Sequence, residues 1–405
     1  MTDPRPASSP EPAAAPVLAI LLLALAAFAS GVSLRVADPL LPHLAGEFGV
    51  PLGTASYVVT VFSIAYGLSQ LVFGPLGDRY GKYRVVAWAS LASALTSALC
   101  GLAPNLPTLL VARLLTGATA AAIIPLSMAW IGDVVPYATR QPVIARFLLG
   151  QILGLSAGVL LGGFAADHLG RHSPFLAIAA TFLLVGGALL ALDRRLPPQA
   201  RQTTRASGPA LQRTVAEFSA VLSTPWARTV LLTVFLEGAF LYGPFAFIAS
   251  HLHHEFGLSL SSAGSLVMLF GLGGVLFAAT SQLMVRRLGE AGMTAWGAGV
   301  LSLSLLLVAA GPRWWWAVPG CFLAGLGFYM LHNTLQTNAT QMAPERRGAA
   351  VSAFASLFFI GQSVGVWVSS LLIAVTGTGV VIGLGALGVL AVGANFSRLR
   401  AQRVG

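Results

Sequence analysis

Long apolar runs follow one another along the whole chain, separated by short polar breaks. A helix rises 1.5 Å per residue, so about 20 apolar residues cross the hydrocarbon of a bilayer. Runs of that size fall at 17–38, 52–75, 84–103, 107–132, 143–166, 174–192, 226–250, 260–284, 293–311, 314–340, 349–376 and 378–397. The pattern predicts an all-α integral membrane protein with twelve transmembrane helices. The last break rests only on Thr376-Gly377-Thr378-Gly379. A longer polar interruption at 193–225, rich in Pro, Gln, Ser, Thr and Arg, divides six runs (17–192) from six more (226–398). Two six-helix bundles joined by a cytoplasmic linker are expected. Within the linker, 210–222 either forms a short amphipathic helix with Val215, Phe218 and Leu222 on one face or is a solvated tether.

Composition removes the soluble classes: 56% of the 405 residues are hydrophobic, 9% are charged, and mean hydropathy is +0.81. The net charge of +10 would suit a nucleic-acid partner if the cations shared a binding face. They follow topology instead. With the N-terminus in the cytoplasm, 19 of the 23 cations lie on that side; Arg171 and Arg313 lie outside, and Arg35 and Arg113 within helices. This is the positive-inside bias, and it places both termini in the cytoplasm with no nucleic-acid partner implied. Residues 1–16 are Pro-, Ala- and Ser-rich and are expected to be a disordered cytoplasmic tail, and 399–405 are expected to be a cytoplasmic tail at the other end. The first 16 residues lack the basic start of a cleaved signal, so 17–38 is expected to remain as a spanning helix. Cys100 and Cys321 both sit in apolar surroundings in different halves, which gives no disulfide or metal framework. One Lys against 22 Arg, with abundant Ala and Gly, points to a GC-rich bacterial genome and hence to a bacterial inner (plasma) membrane.

Residues 74–84 read Gly-Pro-Leu-Gly-Asp-Arg-Tyr-Gly-Lys-Tyr-Arg. Positive-inside bias alone requires neither the acid nor the spaced glycines. Gly74 lets a helix end approach a neighbour, and Asp78 can pair with cations across an interface. The order resembles the signature loop between helices 2 and 3 of the major facilitator superfamily, with Gly74, Asp78, Arg79, Gly81, Lys82 and Arg84 in its places. Arg286-Arg287-Leu288-Gly289 is a worn copy without the Asp. Arg113 to Gly117 resembles the superfamily's Arg-x-x-x-Gly motif, and Gly132-Asp133 with Arg140 resembles its charged end of helix 4. Gly154, Gly158, Gly162 and Gly163 resemble its antiporter motif, although Val159 stands where that motif has Pro. Spacing of four keeps Gly154, Gly158 and Gly162 on one face for close helix packing. Ala343 to Gly348 resembles the corresponding loop of the drug:proton antiporter branch.

The resemblance implies the major facilitator fold, with two bundles rocking about a central site, and a monomer with membrane lipid around it. Asp78, Arg79 and Arg140, with Gly74 and Gly81, would form a cytoplasmic latch that holds an outward-open state. No nucleotide-binding loop is present, so an ion gradient would supply the energy. Proton-coupled efflux of a small amphipathic compound or drug is the leading reading. An importer, symporter or uniporter of an organic anion or other small metabolite is the alternative. A receptor would call for an output domain or docking tail, and a membrane enzyme for a motif such as His-Glu-x-x-His; neither is visible, so no enzyme activity is expected.

Ionisable groups at membrane depth cost about 2.5–3.5 kcal/mol near a helix centre and so mark candidate sites. Glu237 lies near the middle of the run 226–250, and a carboxyl at such depth can take up and release a proton near neutral pH. Asp38 and His332 are the other candidate proton groups. Arg35 and Asp38, three apart, form either a self-satisfied pair or part of a substrate and proton network. Arg35 and Arg113 are candidate ligands for an anionic group. Tyr329, Asn333 and Gln336 make one stripe on a helix, with His332 beside it; Tyr66 with Gln70, and Tyr242 five residues after Glu237, are further candidate contacts. His251, His253, His254 and Glu255 are placed in a short outer loop, and their spacing is not diagnostic of a metal. No cofactor is expected. Trp314, Trp315 and Trp316 fit an interfacial aromatic belt.

Overall fold

The structure is a computed structural model that describes residues 17–201 and 210–404. The expected tail at 1–16 lies outside the described residues, as do linker positions 202–209. Among the described residues all regular structure is helical. Eleven segments are long and apolar enough to span a membrane: α1 (Val17–Arg35), α2 (Leu52–Tyr80), α3 (Lys82–Leu102), α4 (Leu106–Val134), α5 (Pro142–His168), α6 (His172–Asp193), α7 (Pro225–Phe256), α8 (Leu260–Ala310), α9 (Trp314–Gln341), α10 (Pro344–Thr376) and α11 (Thr378–Arg403).

The expected runs 260–284 and 293–311 both fall in α8, on either side of Gly289. At 1.5 Å per residue its 51 residues would exceed twice the hydrocarbon thickness if straight. It is not straight. Gly289 breaks it with φ 63° and ψ 179°, a conformation closed to residues with a Cβ. Beside the break, Arg400 donates to Glu290 at 2.8 Å and Ser397 to the Ala291 carbonyl at 2.8 Å, so the chain turns next to the end of α11. It then runs back, and at the far end His251 meets the Val308 carbonyl. The break between α10 and α11 is one residue, Gly377, at φ 81°. In the linker, Ala210–Ser223 is helical. Its Val221 is buried, while Val215 and Leu222 are exposed. Trp130 donates to the Ala200 carbonyl at 2.8 Å and pins the linker's first part under α4.

Small residues set the distances between helices. A Cβ added at Gly150, Gly154, Gly158 or Gly162 of α5 would collide with the carbonyl of Ala24, Phe28 or Val32 of α1 or of Val36 just beyond it, one helix turn after another. α5 thus runs parallel to α1. The end of α5 meets the start of α8 at Asp167 and Leu260, and the break of α8 meets the end of α11 at Glu290 and Arg400. The start of α1 and the end of α11 therefore lie at the same end of the molecule, called here the terminal end, and the opposite end is the distal end.

The first six spans meet the later ones along two seams, α2 with α10 and α5 with α8. On the first, the backbones touch at Gly53 and Ser370. One helical repeat further on, Ser363 donates to the Thr60 carbonyl at 3.0 Å, and Ser356 donates to the Gly67 carbonyl at 2.7 Å. Gln362 donates to Ser63 at 2.9 Å between them. The contacts begin at the distal end and stop short of the terminal end, where Gly74 is exposed and a Cβ on it would meet nothing within 4 Å. Along this seam the helices are closed distally and parted at the terminal end.

Candidate substrate and proton site

Halfway along α7 the regular helix gives way to a π-turn, Gly238–Tyr242, followed by Gly243–Phe245. Pro244 has no N–H for the Phe240 carbonyl, and its ring crowds that oxygen, so the turn widens. In a π-turn the i→i+5 bond stacks residues five apart. Tyr242 therefore comes onto the face of Glu237, which a regular helix would not allow. Gly238 and Gly243 admit the α10 backbone at Phe358 and Gly365.

Glu237 is 0% exposed. One carboxylate oxygen, Oε2, lies 2.9 Å from Nδ1 of His332 on α9, and Oε1 has no hydrogen-bond partner among the described residues. The His332 ring is held by Phe328, Phe358 and Phe354, with centroids at 4.8, 4.7 and 5.3 Å. The imidazole is 17% exposed. The acid is thus shut in rings, and its histidine partner keeps a solvent-accessible edge. A buried carboxylate is costly unless it is neutralised or paired, and His332 supplies the pairing here.

Across the molecule, Arg35 at the end of α1 pairs with Asp38 at 3.2 Å. Its guanidinium lies over the Tyr242 ring at 3.9 Å and 5.4 Å from the Phe245 ring. This is the meeting of the first six spans with α7. A cavity of about 10 Å³, enough for one water at most, lies there between Arg35, Leu155, Ser156, Tyr242, Val267 and Phe270. A larger crevice of about 140 Å³ lies elsewhere, between α1, α5 and α6, and is lined by apolar side chains such as Phe28, Val32, Leu161, Phe164 and Ile178. None of its described lining residues is ionisable.

Arg113 is 0% exposed and turned to the backbone: Nε donates to the Val58 carbonyl at 3.1 Å and Nη1 to the Ser33 carbonyl at 2.9 Å, with the Phe62 ring at 4.1 Å. It clasps α4 to α1 and α2. Charge-assisted hydrogen bonds contribute about 1.5–3 kcal/mol each, so Arg113→Met is expected to lower unfolding free energy by about 3 kcal/mol. Denaturation in detergent beside a substrate-binding measurement checks this: stability should fall, and affinity should hold in the folded fraction.

The other expected residues fall in several places. Tyr66 is buried against the Phe359 ring, centroids 4.4 Å apart, and Gln70 is buried a turn below it. Tyr329 packs on Phe328 and Phe270; Asn333 is half-buried and Gln336 exposed. Lys82 bonds Asp133 at 2.6 Å and lies 3.9 Å from Asp78, so those charges are gathered on one side of the parted terminal end. Arg79 lies over Tyr80, and Arg140 donates to the Val135 carbonyl. Gly81 ends α2 at φ 92°. The histidine cluster is a correction. His251, His253, His254 and Glu255 lie in the helix Ile248–Phe256 and not in a loop. His251 is buried between Thr378, at 2.9 Å, and the Val308 carbonyl, at 3.1 Å. No metal-binding group of three or more His, Cys, Asp or Glu occurs among the described residues. The sequence pattern missed the Phe328, Phe354 and Phe358 cage, because apolar positions in an apolar helix carry no signal of their own.

The family model described as Major Facilitator Superfamily matches residues 23–366. The chain belongs to the major facilitator superfamily. It is a multi-pass cell-membrane transporter and not an enzyme. This facilitator is 26% identical over 358 residues to the uncharacterized MFS-type transporter YceJ of Bacillus subtilis (strain 168), covering 85% of the chain and 86% of the relative. It is 30% identical to the multidrug export protein EmrB of Escherichia coli (strain K12) over 152 residues, 38% of the chain and 30% of EmrB. Two solved structures share the facilitator fold: a point mutant of the nucleoside transporter NupG (TM-score 0.76, 16% identity, 93% of this chain and 98% of that one), and a bacterial homolog of the human lysosomal transporter Spinster, inward-facing and unoccupied (TM-score 0.73, 17% identity, 95% and 97%).

Proposed function

We propose that this facilitator is a proton-coupled exporter of small amphipathic compounds that works by alternating access, with coupling at Glu237 and His332. The observation that carries the reading is the pair itself: a fully buried carboxyl bonded to a histidine that keeps an accessible edge. His332 admits protons from the parted end and passes them to Glu237 through Nδ1. Tyr242, on the same face of the π-turn, touches Arg35 and carries the change at Glu237 to the first six spans. Substrate lies against the same aromatic wall, with Tyr329, Asn333 and Gln336 below and Tyr66 and Gln70 opposite. Proton and substrate then compete for one surface. The named activities of EmrB and of the multidrug efflux pump LfrA of Mycolicibacterium smegmatis (30% identity over 185 residues, 45% of the chain and 36% of LfrA) favour efflux. Import of an organic anion is the weaker reading, since Arg113 is held by carbonyls and Arg35 by Asp38.

In this reading α8 counts as two passes, which makes twelve helices in bundles 17–192 and 226–398 with the linker at 193–225. Both termini are cytoplasmic, the terminal end is the cytoplasmic end, and the structure is inward-facing. Asp78, Arg79 and Arg140, with Gly74 and Gly81, then belong to a cytoplasmic latch. The test is purified protein in liposomes with an imposed pH gradient, reading lumenal pH while cationic, neutral and anionic compounds are added. Substrate-dependent proton movement is expected for amphipathic compounds; substrate movement with no proton flux would overturn the coupling.

A further inference from the structure

We infer that Asp167 is the distal gate latch: its carboxylate holds the start of α8 and keeps the distal end shut. The inference rests on the alternating-access reading above. Asp167 is in the last turn of α5, and it accepts from the backbone N–H of Leu260 at 3.2 Å and of Ser261 at 2.6 Å. Those are the first two residues of the helix Leu260–Val267, whose third N–H, on Ser262, is taken by the side chain of its own cap, Ser259, at 3.1 Å. The free donors of the α8 helix start are thus divided between its own cap and a carboxylate brought from the other half of the chain.

The position of the acid is itself an argument. A carboxylate in the last turn of a helix faces the negative end of that helix's dipole and is disfavoured there. The dipole of α5 does not stabilise Asp167. The acid gains from the positive start of α8, and only while the two helices are in contact. Below it the seam continues through backbone approaches that admit no side chain: Gly163 against the Leu260 carbonyl, then Gly264 against the Val159 carbonyl. Gly271 follows against the Ser156 side chain. Leu155, Ser156 and Val159 on one side and Val267 and Phe270 on the other then form the roof of the small cavity at Arg35 and Tyr242. The clamp therefore seals the candidate site from the distal side. Opening distally separates Asp167 from α8 and leaves its charge at the wrong end of α5, so the contact biases the carrier toward the distally closed state.

The experiment uses full-length protein in liposomes, in a background where Cys100 and Cys321 are replaced by Ser. Val267→Cys reports the distal side of the seam and Gln336→Cys the parted end; each is labelled with a membrane-impermeant maleimide from its own side. Asp167→Asn keeps the size and removes the charge. It is expected to raise the Val267→Cys labelling rate several-fold and to lower the Gln336→Cys rate in step, and Asp167→Glu is expected to restore both. A control, Gly53→Trp, forces the distal backbones apart on the α2/α10 seam. If Asp167→Asn leaves both rates unchanged while Gly53→Trp shifts them in opposite directions, the latch is overturned and alternating access stands. If Gly53→Trp also leaves both unchanged, both fall.

Discussion

Replacing Glu237 with Gln is expected to abolish substrate-dependent proton movement while leaving the protein folded and able to exchange substrate. Gln has the same shape, stays neutral at every pH, and still offers His332 Nδ1 a hydrogen-bond partner across the 2.9 Å contact. It mimics the protonated carrier and cannot leave that state. Net transport driven by a pH gradient should fall by about 100-fold, the low end for loss of a proton-transferring group. Exchange of labelled for unlabelled substrate needs no change in protonation and should continue. His332→Asn keeps a polar partner for the carboxyl but removes the ring that reaches the accessible side. Proton movement there should slow without disappearing. The pH profile separates the two variants: the dependence of transport on pH should vanish in Glu237→Gln and persist at lower rate in His332→Asn. Proton release unchanged in Glu237→Gln would remove Glu237 from the coupling site and turn attention to Asp38, whose Oδ1 is buried without a hydrogen-bond partner among the described residues.

The reach of the sequence differed between the fold and the site, for a physical reason. Spanning helices are written in long apolar runs, and the runs ending near Leu102, Asp193 and Thr376 agree with the helix ends to within a turn. The break between the runs 260–284 and 293–311 was legible from the charges of Arg286, Arg287 and Glu290, but not that a single residue at positive φ, Gly289, makes it. The depth of Glu237 was legible because charge in an apolar run is rare. Its pairing was not: His332 is 95 residues away, and only the packing of α7 on α9 brings them together. Tyr242 was readable as polar but not as a neighbour of Glu237, because helical periodicity has no place for the π-turn that Pro244 imposes. Asp167 left a weaker trace. An acid in the last turn of a helix is a misplaced charge by its own dipole, and that misplacement is a signal of a partner elsewhere.

The second large effect is expected at Gly74 and Ala349, which do not meet in this structure. On α2 the contacts with α10 fall at Gly53, Thr60 and Gly67; on α10 they fall at Ser370, Ser363 and Ser356. Each step is seven residues, two helical turns, and the helices run in opposite directions, so the next rung toward the terminal end is Gly74 with Ala349. Both residues are small enough for backbones to touch. When the carrier closes at the terminal end this rung should form, and the Gly53 with Ser370 rung should open. Gly74→Cys with Ala349→Cys, in a background lacking the two native cysteines, is therefore expected to cross-link only when that state is populated. A disulfide needs Cα atoms within about 7 Å. Once formed, it should stop transport, and reductant should restore it. Thr60→Cys with Ser363→Cys is the converse pair, joined across a rung that is already closed, and should trap the present state. Substrate or a pH gradient should raise the yield of one pair and lower that of the other. Two yields that rise together, or a bridged Gly74→Cys and Ala349→Cys protein that transports at the unbridged rate, would show that the α2/α10 seam does not open and close about its middle. The rocking motion would then have to run along α5 and α8 alone.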